Sequence, residues 1–463
     1  MLSALQDRRA VQIKWRGPSA GYTVATLIYL ECVMALSSAL HLLQQQLLAV
    51  TSNRKGFLHL TAPVTGEVDS LQWLASQTLW PQFYWQQREG AQTLIALGEV
   101  LRAETLPEAE AILQQLPAEG CLVGANKFAL DKSCLFLPRL LWRGNTLSIF
   151  LCGTLRDEAQ KALIFLTKLR SLAPLPALPE HLTDCQHHPD KPGWALQVEA
   201  ALQAIRQGEL EKVVLARATD LRFGQVLSAV SLLAASRKVN HHCYHFLLAF
   251  SADRAFLGSS PERLYHRQGL ALSSEALAGT CANASSPQQA RSLAEALLKD
   301  EKNRRENGLV VEDICQRLQP VTSGLDVSAV QILQLRKVQH LRREITARLH
   351  QPQDIPLLQQ LQPTAAVAGL PRQPALQFIK LHESFSREWY AGSVGWLSAS
   401  ESEFTVALRS ALVSGKTVRL YAGAGIVSGS EASQEWQEIN QKASGLASLL
   451  AVEIAKGSCP KSS

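Results

Sequence analysis

The sequence predicts an α+β protein with large antiparallel sheets packed together and helices on the outside. Residues 51–185 alternate short β-like runs with polar turns, and this hairpin spacing is typical of antiparallel sheet. In the second half, helices separate strand pairs without regular alternation, which argues against repeated βαβ units. A length of 463 residues with 46% apolar content allows a sizeable buried core.

An apolar run at 24–36 precedes the first predicted helix. Glu31 interrupts this run, and about 13 residues are too few for a membrane span, which needs roughly 20. We therefore expect neither a secretory signal nor a membrane anchor. Met34 lies where the run passes into an amphipathic helix. We expect the functional chain to start there, with residues 1–33 as a non-native or dispensable extension.

The other elements follow from hydrophobic periodicity. Predicted strands lie at 82–86, 93–97, 135–137, 146–151, 212–218, 244–250, 255–258, 393–397, 403–411 and 417–422. Predicted helices lie at 108–116, 157–172, 194–207, 287–318, 374–381 and 433–455. A proline-rich break at 173–192 separates an N-terminal α+β region, 34–190, from a catalytic region, 191–456, within one fold. Residues 457–463 are predicted to form a flexible tail.

The charge content narrows the class of binding partner, and the cysteine content indicates the cellular compartment. The chain has 46 basic and 40 acidic side chains, a formal charge of +6 that is too dispersed for a nucleic-acid surface. A small anionic substrate fits this balance. The nine cysteines are widely spaced and form no CxxC pair, which indicates reduced thiols in a cytosolic protein.

A glycine-rich run at 423–429 follows a predicted strand and precedes a predicted helix. Its GxGxxxG spacing and the absence of a βαβ continuation argue against a dinucleotide site. The backbone N–H groups of such a run can form a nest for a carboxylate. Histidines and cysteines at 185–188 and 241–245 lack paired-ligand spacing, so zinc is not predicted.

Carboxylates in two predicted helices suit a divalent cation. Glu435 and Glu438 are three residues apart and lie on one helical face directly after the glycine-rich run. Glu306 lies where another helix changes from apolar to polar. Carboxylate oxygens with water and ligand oxygens are what Mg²⁺ prefers, although each of these acids alone would be interpreted as solvated surface.

Seven segments then occur in a diagnostic order. They are KVVLAR at 212–217, GSSPERL at 258–264, EALAGT at 275–280, REWYAGSVG at 387–395, ALRSA at 407–411, YAGAGIV at 421–427 and ExxExxxK at 435–442. Together they resemble the chorismate-binding family, which includes anthranilate, aminodeoxychorismate, salicylate and isochorismate synthases. The resemblance covers about residues 194–455 and implies that family's fold. Residues 34–151 are further similar to isochorismate synthases of menaquinone synthesis.

The resemblance implies acid–base roles for two residues, Lys212 as base and Glu262 as acid. Isochorismate formation adds water at C2 of chorismate and expels the C4 hydroxyl, so it needs both. Aminating relatives carry Gln at the Lys212 position, and the lysine with which aminodeoxychorismate synthases form an adduct is Ala278 here. The resemblance thus implies an isomerase without a glutaminase subunit. Salicylate synthase stays open, because it shares the base and acid positions and adds pyruvate elimination.

The remaining site residues are also implied by the resemblance. Mg²⁺ ligation is expected at Glu306, Glu438 and Glu435, and the metal would bind the ring carboxylate of chorismate. The other carboxylate is expected to bind Arg409, Tyr421 and the backbone N–H groups of Gly423 and Gly425.

Three further positions, Gly279, Thr280 and His340, match residues that line the family's pocket. We expect a cytoplasmic monomer that supplies menaquinone synthesis and binds neither nucleic acid nor membrane. Siderophore supply and a non-catalytic anion-binding protein are the alternatives.

Overall fold

The computed structural model describes residues 24–66 and 68–452, with the backbone alone for 24–35. Residues 1–23 of the expected extension and the whole predicted tail lie outside the described residues. The described chain contains the α-helices α1 Val24–Leu48, α2 Ser70–Ser76, α3 Leu106–Leu113, α4 Leu155–Thr167, α5 Lys191–Arg206, α6 Ala229–Val239, α7 Pro287–Lys299, α8 Glu301–Leu318, α9 Asp354–Leu361, α10 Arg372–His382 and α11 Ala432–Ala447.

Strands dominate the fold and join one antiparallel network of 20 strands. They are β1 Lys55–Pro63, β2 Gln82–Gln86, β3 Thr93–Ala103, β4 Cys121–Asn126, β5 Ser133–Arg143, β6 Thr146–Thr154, β7 Leu182–His188, β8 Lys212–Phe223, β9 Tyr244–Ala249, β10 Arg254–Ser260, β11 Arg263–Gln268, β12 Ala271–Ala282, β13 Thr322–Val327, β14 Gln331–Gln334, β15 Val338–Leu349, β16 Gly369–Leu370, β17 Ser393–Ser398, β18 Glu401–Val406, β19 Ser410–Ser414 and β20 Thr417–Ile426. The predicted α+β class with large antiparallel sheets is confirmed.

The order of pairing interleaves the two halves of the chain. From one edge the strands run β7, β8, β20, β19, β10, β9, β2, β3 and β5. The network continues from β5 through β4, β17, β18, β11, β12 and β15. Strand β5 also pairs with β6, which pairs with β1. Strands from residues 34–190 therefore pair directly with catalytic-region strands at β2–β9 and β4–β17.

Helix α1 packs its apolar side on this network. Leu36, Ala39, Leu43 and Leu47 are buried, which stabilises the helix by about 1.5–3 kcal/mol for each fully buried leucine. Leu48 is 64% exposed, because it follows the buried Leu47 by one residue and therefore lies about 100° further round the helix. No helix in the described part of the chain is long and apolar enough to cross a membrane.

Two predicted elements are wrong because each is divided in the structure. The predicted helix 287–318 is two helices, α7 and α8. Asp300 separates them, with an extended backbone and a side chain that accepts a hydrogen bond from the Asn303 N–H, so it caps α8. The predicted strand 403–411 is likewise two strands, β18 and β19, because the chain leaves the ladder between them.

Candidate active site

A cavity of about 630 Å³ lies where β8, β12 and β20 meet the N-terminal half of α8. Nine of the twelve predicted site residues line it: Glu262, Gly279, Thr280, Glu306, His340, Arg409, Tyr421, Gly423 and Gly425. Lys212 lies directly behind this lining. Glu435 and Glu438 lie on α11, and Lys442 of the same helix reaches the cavity.

Lys212 begins β8 and is completely buried. Its Nζ lies 3.0 Å from Oε1 of Glu306 on α8, although Nζ has no well-aligned hydrogen bond among the described residues. Strand β8 is paired with β20 on one side and with β7 and β16 on the other. Together with its complete burial, this pairing excludes an exposed position at the edge of the sheet for Lys212.

Gly425 makes room for this ion pair. A Cβ at that position would lie 2.6 Å from Oε1 of Glu306 and 2.9 Å from Cε of Lys212, so every larger residue would clash. Burial disfavours the Glu306 carboxylate, but the ammonium groups of Lys212, Lys442 and Lys302 hold its pKa below the usual value. Glu306 is therefore an ionised carboxylate at the cavity wall.

Glu262 provides the opposite kind of group. Its side chain is buried and Oε1 has no hydrogen-bond partner among the described residues. Burial, reinforced by the nearby Glu275 carboxylate, raises the pKa of Glu262 to about 8, although Lys212 and Lys442 act against the shift. Glu262 thus holds its proton at neutral pH, which is the protonation state that a general acid requires.

The segment that carries Glu262 is held by residues that the sequence analysis did not assign. Arg88 Nη1 donates to Oε1 of Glu275 at 2.7 Å and to the Pro261 carbonyl at 2.8 Å. The Arg263 N–H donates to the same Glu275 oxygen at 2.7 Å. A carboxylate inside the EALAGT segment was the available signal for Glu275, whereas nothing in the β2–β3 turn pointed to Arg88.

Arg409, His340 and Thr280 form a hydrogen-bonded row along the cavity. Arg409 Nη2 lies 2.9 Å from Nε2 of His340, and His340 Nδ1 lies 3.0 Å from the Thr280 hydroxyl. A guanidinium can only donate, so Nε2 accepts and the proton of neutral His340 sits on Nδ1. Burial and the charges of Arg409 and Lys442 hold the pKa of His340 well below its usual value.

The backbone at Arg409 explains the division between β18 and β19. Its φ is +49°, a left-handed conformation that costs a non-glycine residue energy and often marks functional sites. The Ser259 N–H donates to the Arg409 carbonyl at 3.1 Å. Arg409 forms no ion pair within the described residues. Its guanidinium remains available to a carboxylate ligand.

Tyr421 and Tyr390 together form part of the cavity wall. Tyr390 belongs to the REWYAGSVG segment, but the sequence alone gave it no role. The two rings are stacked with centroids 5.0 Å apart and an interplanar angle of 7°. A Cβ on Gly423 would lie 2.8 Å from the Tyr390 hydroxyl. Burial raises the pKa of Tyr390 to about 12, so this hydroxyl keeps its proton.

The glycines expected to offer backbone N–H groups to a carboxylate lie in a strand, and their N–H groups face away from β8, because the Ala216 and Val214 N–H groups opposite them bond to Glu383 and to the Ala368 carbonyl instead. Gly423 and Gly425 lie inside β20, opposite Ala216 and Val214 of β8, rather than in a turn. Strand pairing takes the place of the turn because β8 offers a continuous antiparallel partner as far as Val213. The two glycines shape the cavity through the side chains they lack.

Arg387 and Glu383 form a buried ion pair that holds the segments lining the cavity in position. Arg387 donates to the carbonyls of Val214 at 2.7 Å and Val367 at 2.8 Å, and both residues line the cavity. Glu383 accepts a hydrogen bond from the Ala216 N–H at 2.9 Å. This pair fixes β8 relative to the chain before β16.

The three carboxylates expected to bind a metal are each paired with a lysine. Besides Lys212–Glu306, Lys302 lies 3.2 Å from Glu435, and Lys442 lies 2.5 Å from Glu438. In this arrangement no three His, Cys, Asp or Glu side chains of the described residues are placed to hold a metal ion. The oxygen donors nevertheless suit a hard divalent cation by their chemistry, provided that the lysines withdraw.

The fold and the site define the class of protein: it is an enzyme in which a buried carboxylic acid, a buried lysine and an arginine without an ion pair among the described residues adjoin one cavity. The chorismate binding enzyme model matches residues 132–451. Isochorismate synthase MenF of Escherichia coli is 52% identical over 427 residues, 90% of this chain and 99% of that protein. The Haemophilus influenzae MenF is 41% identical over 394 residues, 84% of this chain and 90% of that protein.

A solved structure is also similar to this chain. The menaquinone-specific isochorismate synthase MenF from Escherichia coli superposes with a TM-score of 0.87 at 51% identity, covering 90% of this chain and all of that one. The chain belongs to the chorismate-binding enzyme family.

Proposed function

We propose that this chain is an isochorismate synthase that converts chorismate reversibly into isochorismate. One observation carries the proposal: a protonated buried glutamic acid, Glu262, and a fully buried lysine, Lys212, adjoin the same cavity. Water addition with loss of a hydroxyl needs a base and an acid, and this pair supplies them. The two MenF relatives, which match nearly the whole chain, support the same activity.

In the proposed reaction, Lys212 takes a proton from the water that attacks C2. Glu262 gives its proton to the departing C4 hydroxyl, so water leaves and the ring keeps its overall composition. Lys212 is the protonated ammonium in its ion pair with Glu306, so it must first release its own proton to solvent as that pair opens, and the neutral amine then accepts a proton from the attacking water. Arg409, held by neutral His340, binds the enolpyruvyl carboxylate. The stacked rings of Tyr421 and Tyr390 form part of the wall of the same cavity.

Mg²⁺ is proposed as the cofactor, with Glu306 and Glu438 as ligands and Glu435 as a further ligand or supporting group. When bound, the metal would neutralise the ring carboxylate of the substrate and fix the ring in place. The proposal rests on oxygen-donor chemistry at the junction of α8 and α11.

The biological setting is part of the same proposal. Menaquinone synthesis is favoured because the MenF structure that matches the full fold is described as menaquinone-specific. We further propose a cytoplasmic monomer that acts without a glutaminase subunit, nucleic acid or membrane. Siderophore supply would use the same chemistry.

Product analysis tests the proposal directly. The purified protein is incubated with chorismate and Mg²⁺, and products are separated by HPLC. Isochorismate in equilibrium with chorismate is the expected result. Salicylate and pyruvate as main products would identify a salicylate synthase, and no conversion would leave only an anion-binding protein. Chelation with EDTA is expected to abolish conversion and Mg²⁺ to restore it.

A further inference from the structure

A second cavity, of about 400 Å³, adjoins the first and shares two of its cationic residues. Arg409 and Lys442 line both cavities. The far side of the second cavity is formed by the turn between β14 and β15, where Arg336 and Lys337 are exposed. Among the described residues, four permanent cations and no carboxylate line this space.

The charge of this second cavity is largely uncompensated. Arg336, Lys337 and Arg409 form no ion pair within the described part of the chain, whereas Lys442 is paired with Glu438. A cavity with one sign of charge and low-dielectric walls concentrates ions of the opposite sign and accelerates their association. A third cavity also reaches Glu306, but its lining has three glutamates, at 211, 301 and 306, against two cations, Lys302 and Arg305, so it attracts an anion less than the second cavity does.

The turn that carries Arg336 and Lys337 is fixed in place rather than loosely exposed. The Leu335 N–H donates to the Val338 carbonyl at 2.9 Å, closing the hairpin. Leu335 and Val338 are buried with Cys243 in a small apolar cluster separate from the main core. Asn283 Nδ2 donates to the Leu335 carbonyl at 2.7 Å. The two cations are therefore held at the outer side of the cavity.

We propose that this second cavity is an anion vestibule through which the dicarboxylate substrate enters and leaves the active site. Arg336 and Lys337 attract the substrate, and Arg409 and Lys442 receive it at the boundary between the cavities. This inference rests on the proposed function, because chorismate is the anion in question. It adds a route and two residues outside the reacting site.

A steric plug offers the sharpest test. Gly445 lines the vestibule from α11, and a Cβ there would meet no atom within 4 Å, so a larger side chain can be accommodated without a backbone clash. Gly445→Trp is expected to slow association and dissociation of chorismate by the same factor, about tenfold, and to leave Kd unchanged. Gly445→Ala is the matched control and should retain both rates. An unchanged association rate in the tryptophan variant would overturn the proposal.

The charge contribution is tested separately. Arg336→Gln with Lys337→Gln is expected to lower the association rate about tenfold at low ionic strength and to flatten its salt dependence. The control is Lys168→Gln with Arg170→Gln, which removes the same charge just after α4, away from both cavities. A rise in the dissociation rate at a constant association rate would mean a static contact and would contradict the vestibule.

Both experiments are read by rapid mixing with chorismate and protein fluorescence, in a Glu262→Gln background so that bound substrate does not turn over. If the proposed function were wrong, the experiments would give a result that differs from every outcome above. The Glu262→Gln protein would not bind chorismate at all, and the unmodified protein would form no isochorismate.

Discussion

Glu262 holds its proton more tightly than an exposed glutamate because its side chain is buried and Glu275 lies nearby. Between the ordinary carboxyl pKa and about 8, the folded protein therefore binds a proton that the unfolded chain releases. Stability contributed by this group is complete below that range and is lost as the pH rises through it. The slope for one such group reaches about 1.4 kcal/mol per pH unit.

Glu262→Gln should remove this pH dependence and abolish turnover. Urea unfolding at pH 5, 6.5 and 8 measures the first effect: the unmodified protein is expected to lose stability relative to the glutamine variant as the pH rises. Parallel stability curves would show that Glu262 titrates normally. Turnover of the unmodified enzyme should also decline above pH 8, because the acid loses its proton.

Lys212→Ala should abolish conversion of chorismate while the circular dichroism spectrum is retained. It also leaves Glu306 without its closest cation, which costs about 3 kcal/mol for a buried pair. Lys161→Ala is a suitable control, because Lys161 is exposed and pairs with Glu158 at the surface end of α4. That variant should retain turnover and lose less than about 1 kcal/mol of stability. Turnover by Lys212→Ala would refute its role as base.

At the residue scale, the sequence identifies the candidates but not their surroundings. Lys212 and Glu262 could be assigned because they lie in family-like segments. Glu275, near Glu262, lies on the next strand of the β11–β12 hairpin. Glu306, which pairs with Lys212, lies on α8 far along the chain, and only the fold brings the two side chains together. Arg88 is a further case, since it reaches Glu275 from a hairpin 187 residues earlier in the chain.

At the scale of elements, β20 has to approach β8 and α8 closely at Gly425. Gly425→Ala should lower turnover at least tenfold, because its methyl group would displace Lys212 and Glu306. Gly308→Ala is the matched control: it lies on α8 with no atom within 4 Å of its Cβ, and alanine favours helix by up to about 1 kcal/mol. Steady-state rates and thermal unfolding of both variants provide the measurement. Normal turnover in Gly425→Ala would contradict the close approach.

A helix or strand can be predicted from the sequence where a short-range pattern alone defines it. Strand β2 matches the predicted range 82–86, because its alternation and its flanking turns are both local signals. The boundary at Asp300 was missed because residues 299–308 contain no apolar side chain whose spacing could reveal a break. An aspartate at this position is nevertheless a usable N-cap signal. The left-handed turn at Arg409 carries no such signal, since its conformation depends on contacts with Ser259 and the neighbouring strands.

For the whole molecule, the pairs β2–β9 and β4–β17 join the two predicted regions into one ladder. We expect a single unfolding transition, with the calorimetric and van't Hoff enthalpies in agreement. Residues 191–456 expressed alone should aggregate, because β9 and β17 would each present an unpaired edge. A soluble fragment with its own cooperative transition would show that the two regions fold independently.

Because Arg409 has a left-handed backbone conformation, selection for stability and selection for activity favour different residues at this position. An arginine in the left-handed conformation costs about 1–2 kcal/mol, which asparagine or glycine would largely recover. A library screened only for heat resistance should therefore lose this arginine, whereas growth that depends on the enzyme should restore it.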